Sequence, residues 1–110
     1  MSQEQLTSRK CQECAPGTPP IEEARAATLQ DQLDPSWTRT GTAKLQRELR
    51  FPNFRDAFGF TAKVALLAEA EGHHPDLEVG WGRVAVALTT HSAGGLTDND
   101  FIMAAKIDKL

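Results

Sequence analysis

At 110 residues the chain is one domain, with room for a single hydrophobic core and for an active site in a surface cleft rather than a deep enclosed chamber. Hydrophobic residues make up 40% and charged residues 25%, a soluble globular balance, and the formal net charge of −3 with Arg47, Arg50 and Arg55 scattered leaves no basic stripe for nucleic acid. The first twenty residues hold no apolar h-region, and no run approaches the roughly 18 apolar residues of a spanning helix, so a cytoplasmic protein without membrane association is expected.

Residues 1–19 carry Lys10, Pro16, Gly17 and Pro19 without an apolar period, which predicts a flexible leader ahead of a folded domain over residues 20–110. Cys11 and Cys14 form a lone C-x-x-C in that leader. It lies far from any strand-to-helix junction, and the second ligand pair of a zinc ribbon is missing, so two reduced thiols on a mobile arm are expected, with no metal. Composition favours a helix from Ile21 to Leu33, stopped by Asp34-Pro35. Trp37 to Thr40 and Lys44 to Phe51 read as a hairpin turning at Gly41, with Leu45, Leu49 and Phe51 on one face and Lys44, Glu48 and Arg50 on the other.

The longest regular segment runs from Phe54 to Glu71. Phe54, Phe58, Thr61, Ala65 and Ala68 repeat at helical spacing, widened by Phe60, Val64 and Leu67, so this is expected to be the central helix. Asn53 is placed to cap its start and Gly72 to end it in the left-handed conformation. His73 and His74 emerge just beyond, and Pro75 holds His74 extended. A second hairpin alternates Leu77, Val79 and Trp81, then Val84, Val86 and Leu88, and its second strand leads through Thr89-Thr90 to His91. A loop through Ala93-Gly94-Gly95 opens onto a last helix near Asp98 to Ile107, for which Thr97 and Asp100 make a capping box. The order α-β-β-α-β-β-α predicts an α+β fold, a four-stranded antiparallel sheet with helices packed on one face.

All three histidines of the chain, His73, His74 and His91, fall in one stretch near the C-terminus. Histidine gives and takes protons near neutrality, so the cluster points to a proton-handling site. Three metal ligands are disfavoured there, because adjacent side chains diverge on an extended backbone.

Glu69, His73-His74-Pro75, Trp81, His91 and Asp100, at their intervals, resemble the pterin-4a-carbinolamine dehydratases. The resemblance covers roughly residues 20 to 109, and the C-x-x-C leader is also similar to that of bacterial members. Leu77 departs from the aromatic or β-branched residue of many relatives, and Trp81 stands where Tyr is frequent. The resemblance implies dehydration of a 4a-hydroxytetrahydropterin, left by an aromatic amino-acid hydroxylase, to a quinonoid dihydropterin, without metal, nucleotide or redox cofactor. It also implies a substrate site lined by Gly72, His73, His74 and Pro75 and by Thr89, Thr90, His91 and Ser92.

Loss of water needs a proton delivered to the leaving hydroxyl and another removed from N5. His73 and His91, from different chain segments, are expected to form that pair, with His74 fixing the pterin. Asp100 is expected either to orient a histidine or to start the last helix. Glu69 and Trp37 are supporting candidates: Glu69 lies at a helix end where its charge needs a partner, and Trp37 packs beside the site or in the core. A homodimer or homotetramer is expected through sheet edges or helices. The alternative is a non-catalytic module, since some relatives serve as dimerisation cofactors of a homeodomain transcription factor or resemble assembly factors of a carboxylase. An intact histidine set favours the enzyme.

Overall fold

The computed structural model describes residues 5–110. In chain order it contains α1 (Glu23–Gln30), β1 (Thr38–Thr40), β2 (Lys44–Arg50), α2 (Phe54–Glu71), β3 (Asp76–Gly80), β4 (Arg83–Leu88) and α3 (Asp98–Ile107), with short 3-10 turns at Leu6–Ser8 and His91–Ala93. The expected order and the four-stranded antiparallel sheet are both present. The strands lie in the order β1-β2-β4-β3, so the two hairpins join through β2 and β4.

Leu45 pairs with Leu88 and Leu49 with Val84 across that junction, and Leu77 pairs with Val86 on the other side of β4. Because successive side chains alternate between faces, Val84, Val86 and Leu88 point into the core while Ala85 and Ala87 lie on the opposite face. The helices contribute most of the rest of that core, with Leu45 of β2 and with Leu6, Leu33, Trp37 and Leu96 from turns and loops, and the sheet's other face stays open. There Lys44, Gln46, Glu48, Asp76 and Glu78 border a shallow hollow of about 530 Å³.

Chain ends and loops depart from the expected bounds where a local bond competes. Ile21 donates its N–H to Leu96 O (2.7 Å), which keeps it out of α1, and Leu33 reaches the core from a turn beyond the helix. Trp37 closes a turn onto Asp34 O (3.1 Å), so β1 begins one residue later.

Two helices exchange the roles that the sequence suggests. α2 is longest, and its caps are as expected: Asn53 Oδ1 accepts from Asp56 N–H (2.8 Å), and Gly72 adopts φ 70°, where a side chain would be strained. Its buried stripe, however, is Ala57, Val64 and Ala68, while Phe54 and Phe58 stack on each other at the surface and Leu66 is 72% exposed. α3 is the central helix. Phe101, Ile102, Met103, Ala104, Ala105 and Ile107 are all buried, as befits a helix covered on every side.

Part of that cover is the segment expected to be a flexible leader. Its first four residues lie outside the described residues, but from Gln5 onward it is docked on α3. Leu6 is 2% exposed in the core, and Arg9 Nη1 donates to Asp98 Oδ2 (3.1 Å). Gln12 N–H donates to Asn99 Oδ1 (2.9 Å), while Asn99 Nδ2–H returns a bond to Gln12 O (2.6 Å). Burying a leucine side chain contributes about 1.5–3 kcal/mol and each such bond about 1 kcal/mol toward holding the segment in place.

Candidate active site

α2 ends at Glu71, and the left-handed turn at Gly72 redirects the chain so that His73 swings back toward the start of α3. There His73 Nε2–H donates to Asp100 Oδ1 at 2.6 Å; the His73 side chain is 13% exposed and that of Asp100 is fully buried. The other carboxylate oxygen, Oδ2, accepts from Thr90 Oγ1–H (2.7 Å) and from Thr97 N–H (3.0 Å), and the Thr90 and Thr97 hydroxyls lie 2.9 Å apart. Asp100 therefore does both things that the sequence offered as alternatives. One oxygen completes the capping box with Thr97, and the other holds the histidine.

This arrangement fixes a tautomer. A carboxylate only accepts hydrogen bonds, so the proton between the two groups sits on His73 Nε2, and the neutral ring presents Nδ1 as a lone pair. Nδ1 has no hydrogen-bond partner among the described residues.

Thr90 and Gly95 exchange backbone hydrogen bonds (3.1 and 3.3 Å), which pinches the loop between them into the 3-10 turn that starts at His91. Gly95 is required there: a Cβ would lie 2.6 Å from Thr42 O. His91 follows directly on Thr90, whose hydroxyl reaches Asp100; it is exposed and without a side-chain bond among the described residues. Ser92 beside it is also exposed. Thr89 Oγ1–H donates to Ala43 O (2.7 Å) and ties the end of β4 to the first hairpin. The buried Thr90 hydroxyl is turned inward to Asp100 and Thr97.

His74, exposed and held before Pro75, contacts Glu69 through Nε2 and Oε2. That contact supplies the partner which Glu69 needs at its helix end, where the sequence identified none. Gly72 is exposed and Pro75 half-buried at the same corner. Trp37 is not brought here. It is buried, and its Nε1–H donates to Asp108 Oδ1 (2.8 Å), beyond the far end of α3 and about 12 Å along the helix axis from Asp100 at 1.5 Å per residue. Asp108 Oδ1 also accepts from Arg47 Nη1 (2.6 Å), so Trp37 belongs to a lock on the opposite helix end.

Glu71 and Asn99 were not singled out from the sequence. Glu71 Oε1 accepts from Cys11 N–H (2.9 Å) and Oε2 from Lys106 Nζ (2.7 Å). Burial pushes the Glu71 carboxyl up, but the bonds from Lys106 and Cys11 outweigh it and hold the group below the usual glutamate range. The Cys11 thiol is pushed up to about 12, by burial first and then by the charge of Glu71. Among the described residues no three His, Cys, Asp or Glu side chains converge on a metal position, and no helix is long and apolar enough to cross a membrane.

Residues 19–110 match the family model described as pterin 4 alpha carbinolamine dehydratase. A protein of Methylococcus capsulatus named "Putative pterin-4-alpha-carbinolamine dehydratase" is 46% identical over 106 residues, covering 96% of this chain and 92% of that one. An Alkaliphilus metalliredigens protein of the same name is 41% identical over 104 residues, 94% of each chain. The crystal structure of a Brucella melitensis protein described as a transcriptional coactivator/pterin dehydratase superposes with a TM-score of 0.76 at 36% identity, over 82% of this chain and 96% of that one. The chain belongs to the pterin-4a-carbinolamine dehydratase family.

Proposed function

We propose that the chain is a hydro-lyase that dehydrates 4a-hydroxytetrahydropterins to quinonoid dihydropterins by histidine acid–base catalysis. In that reaction the C4a–O bond breaks, the N5 proton leaves, and the N5=C4a double bond forms as water departs. The oxidation level of reactant and product plus water is the same, so the chemistry calls for proton transfer and for no redox partner. The single observation that carries the reading is the buried bond from His73 Nε2–H to Asp100, which leaves Nδ1 as a directed proton acceptor.

His73 is the base that takes the N5 proton, because its carboxylate partner stabilises the imidazolium that results. His91, on the opposite chain segment and open to solvent, delivers the proton to the departing hydroxyl. His74, steadied by Glu69, together with Gly72, Pro75, Thr89 and Ser92, forms the rim that holds the pterin. The substrate is the product of a tetrahydropterin-dependent aromatic hydroxylase, so the enzyme serves pterin recycling, in the cytoplasm, where such a hydroxylase operates. A coupled hydroxylase assay that follows the quinonoid product tests this directly: the purified protein accelerates its appearance, and a rate equal to that in buffer rejects the reading.

A homo-oligomer accompanies this function. The exposed stripe Phe54, Phe58 and Leu66 on α2 and the edge strands β1 and β3 offer apolar and backbone surface for self-association. Light scattering on the eluting protein is expected to give a dimer or tetramer mass, and a monomer mass would count against it. The Brucella relative is described as a coactivator as well as a dehydratase. A binding role on the same apolar stripe is the second reading, distinguished by survival of partner binding when His73 and His91 are replaced.

A further inference from the structure

We propose that the N-terminal segment is a positioning element of the proton-transfer site, with Asn99 and Glu71 as the residues through which it acts. The His73–Asp100 bond spans two elements, the end of α2 and the first turn of α3. The segment grips both elements one or two residues away from that bond. Asn99, adjacent to Asp100, makes a reciprocal pair with the backbone of Gln12 (2.9 and 2.6 Å). Glu71, two residues before His73, accepts the Cys11 N–H (2.9 Å) on one oxygen and Lys106 of α3 (2.7 Å) on the other. The Cys11 thiol adds a contact to Asn99 O (3.5 Å).

Two consecutive residues of the segment thus tie the last residue of α2 to the first turn of α3. Asn99 and the Glu71 side chain are buried, so these bonds do not exchange freely with water. The segment is anchored by Leu6 and by the Arg9–Asp98 pair as well. The ties at Cys11 and Gln12 thus hold the segment and brace the junction at once. A carboxylate bonded by Thr90 and Thr97, on a helix turn that the Asn99–Gln12 pair braces, has little freedom to drift from His73. A drift of about 1 Å at a proton-transfer pair costs on the order of a hundredfold in rate.

The test compares Asn99→Ala, Asn99→Asp and Glu71→Ala with Arg25→Gln, which removes an exposed ion pair at the same helix end. Asn99→Asp keeps the acceptor for Gln12 N–H, but it loses the donor to Gln12 O and Cys14 Sγ and sets a carboxylate oxygen against the Gln12 carbonyl. Each variant is assayed well below its own melting temperature for kcat and KM, and the His73 Nε2-bound proton is followed by 15N-resolved NMR. The proposal rests on His73 as the catalytic base, but the NMR readout needs no activity, so its failure is separable from failure of the dehydratase reading.

Asn99→Ala and Glu71→Ala are expected to lower kcat about ten- to a hundredfold with KM nearly unchanged, and to shift or broaden the His73 Nε2–H resonance. Asn99→Asp is expected to lose at least as much as Asn99→Ala, and Arg25→Gln matches the wild type in both readouts. Lowered melting temperature with an unchanged His73 resonance and unchanged kcat would overturn the proposal, reducing the segment to a simple cover for α3. If Asn99→Ala does not fold, Asn99→Asp and Glu71→Ala decide by the same criteria.

Discussion

Replacing Asp100 by Asn separates the two roles of this carboxylate. The amide can keep its oxygen toward Thr90 and Thr97, preserving both bonds that start α3, and so it must turn its NH2 toward His73. An NH2 facing Nε2–H is two donors in opposition, and the ring resolves this by moving its proton to Nδ1. Stability then changes little: a charged hydrogen bond worth roughly 1.5–3 kcal/mol gives way to a neutral one worth roughly 0.5–1.5, a loss of about 1 kcal/mol. For a domain of this size that is about 4–8 °C in melting temperature. Catalysis suffers far more, because Nδ1 no longer accepts a proton; a loss of about 10²- to 10⁴-fold in kcat is expected. The experiment pairs thermal melts with the coupled assay run well below the variant's midpoint. A variant that melts early yet turns over at the wild-type rate would show that Asp100 merely starts a helix, and the proposed tautomer argument would fail.

Further outcomes follow from the same geometry. His91→Ala removes an exposed side chain with no bond among the described residues, so the melting temperature should hold within about 0.5 kcal/mol equivalent. Activity falls about 10²- to 10⁴-fold if this residue delivers the proton, and an unchanged rate removes it from the mechanism. His74→Ala disturbs only a surface contact with Glu69 and should raise KM more than it lowers kcat; a pure kcat effect would assign His74 to the chemistry instead. With its thiol pushed up to about 12, half-buried Cys11 is thiolate in only about one molecule in ten thousand at pH 8, so alkylation of the native protein there should be slow; rapid labelling at Cys11 by mass spectrometry would contradict the raised thiol. Glu71 is held below its ordinary value of 4.5, so its contribution to stability is complete above that pH and is lost as pH falls through the lower folded value. The destabilisation caused by Glu71→Gln should accordingly shrink as pH falls below 4.5, and a penalty constant with pH would deny the charge-assisted tie.

The facing of the β4 residues, both caps of α2 and the limits of α3 were legible in the sequence because each is set by local chemistry. Alternation in Val84 to Leu88, Asn53 before a helical period and Gly72 after it are signals that neighbours do not override. The facing of α2 was not legible. Its apolar residues form two overlapping stripes, and periodicity cannot choose between Phe54–Phe58 and Ala57–Val64–Ala68 without knowing what packs on either. The docking of the N-terminal segment was hidden for a different reason: its ties join Gln12 to Asn99 and Cys11 to Glu71 through backbone groups, which every residue carries. Asp100 was read as either cap or catalytic partner because a one-letter code does not say that a carboxylate can serve each role with a different oxygen. Trp37 went to the core lock on Asp108, a choice that depends on where β1 lies relative to α3.

The central claim is that His73 moves the proton in the loss of water from a 4a-hydroxytetrahydropterin. The most direct measurement is the rate of quinonoid dihydropterin formation in the coupled assay, with wild-type protein and His73→Ala at equal folded concentration. Acceleration by the wild type and a loss of about 10²-fold or more in the variant is the predicted result. Equal rates from the two proteins, or no acceleration by either, would contradict it.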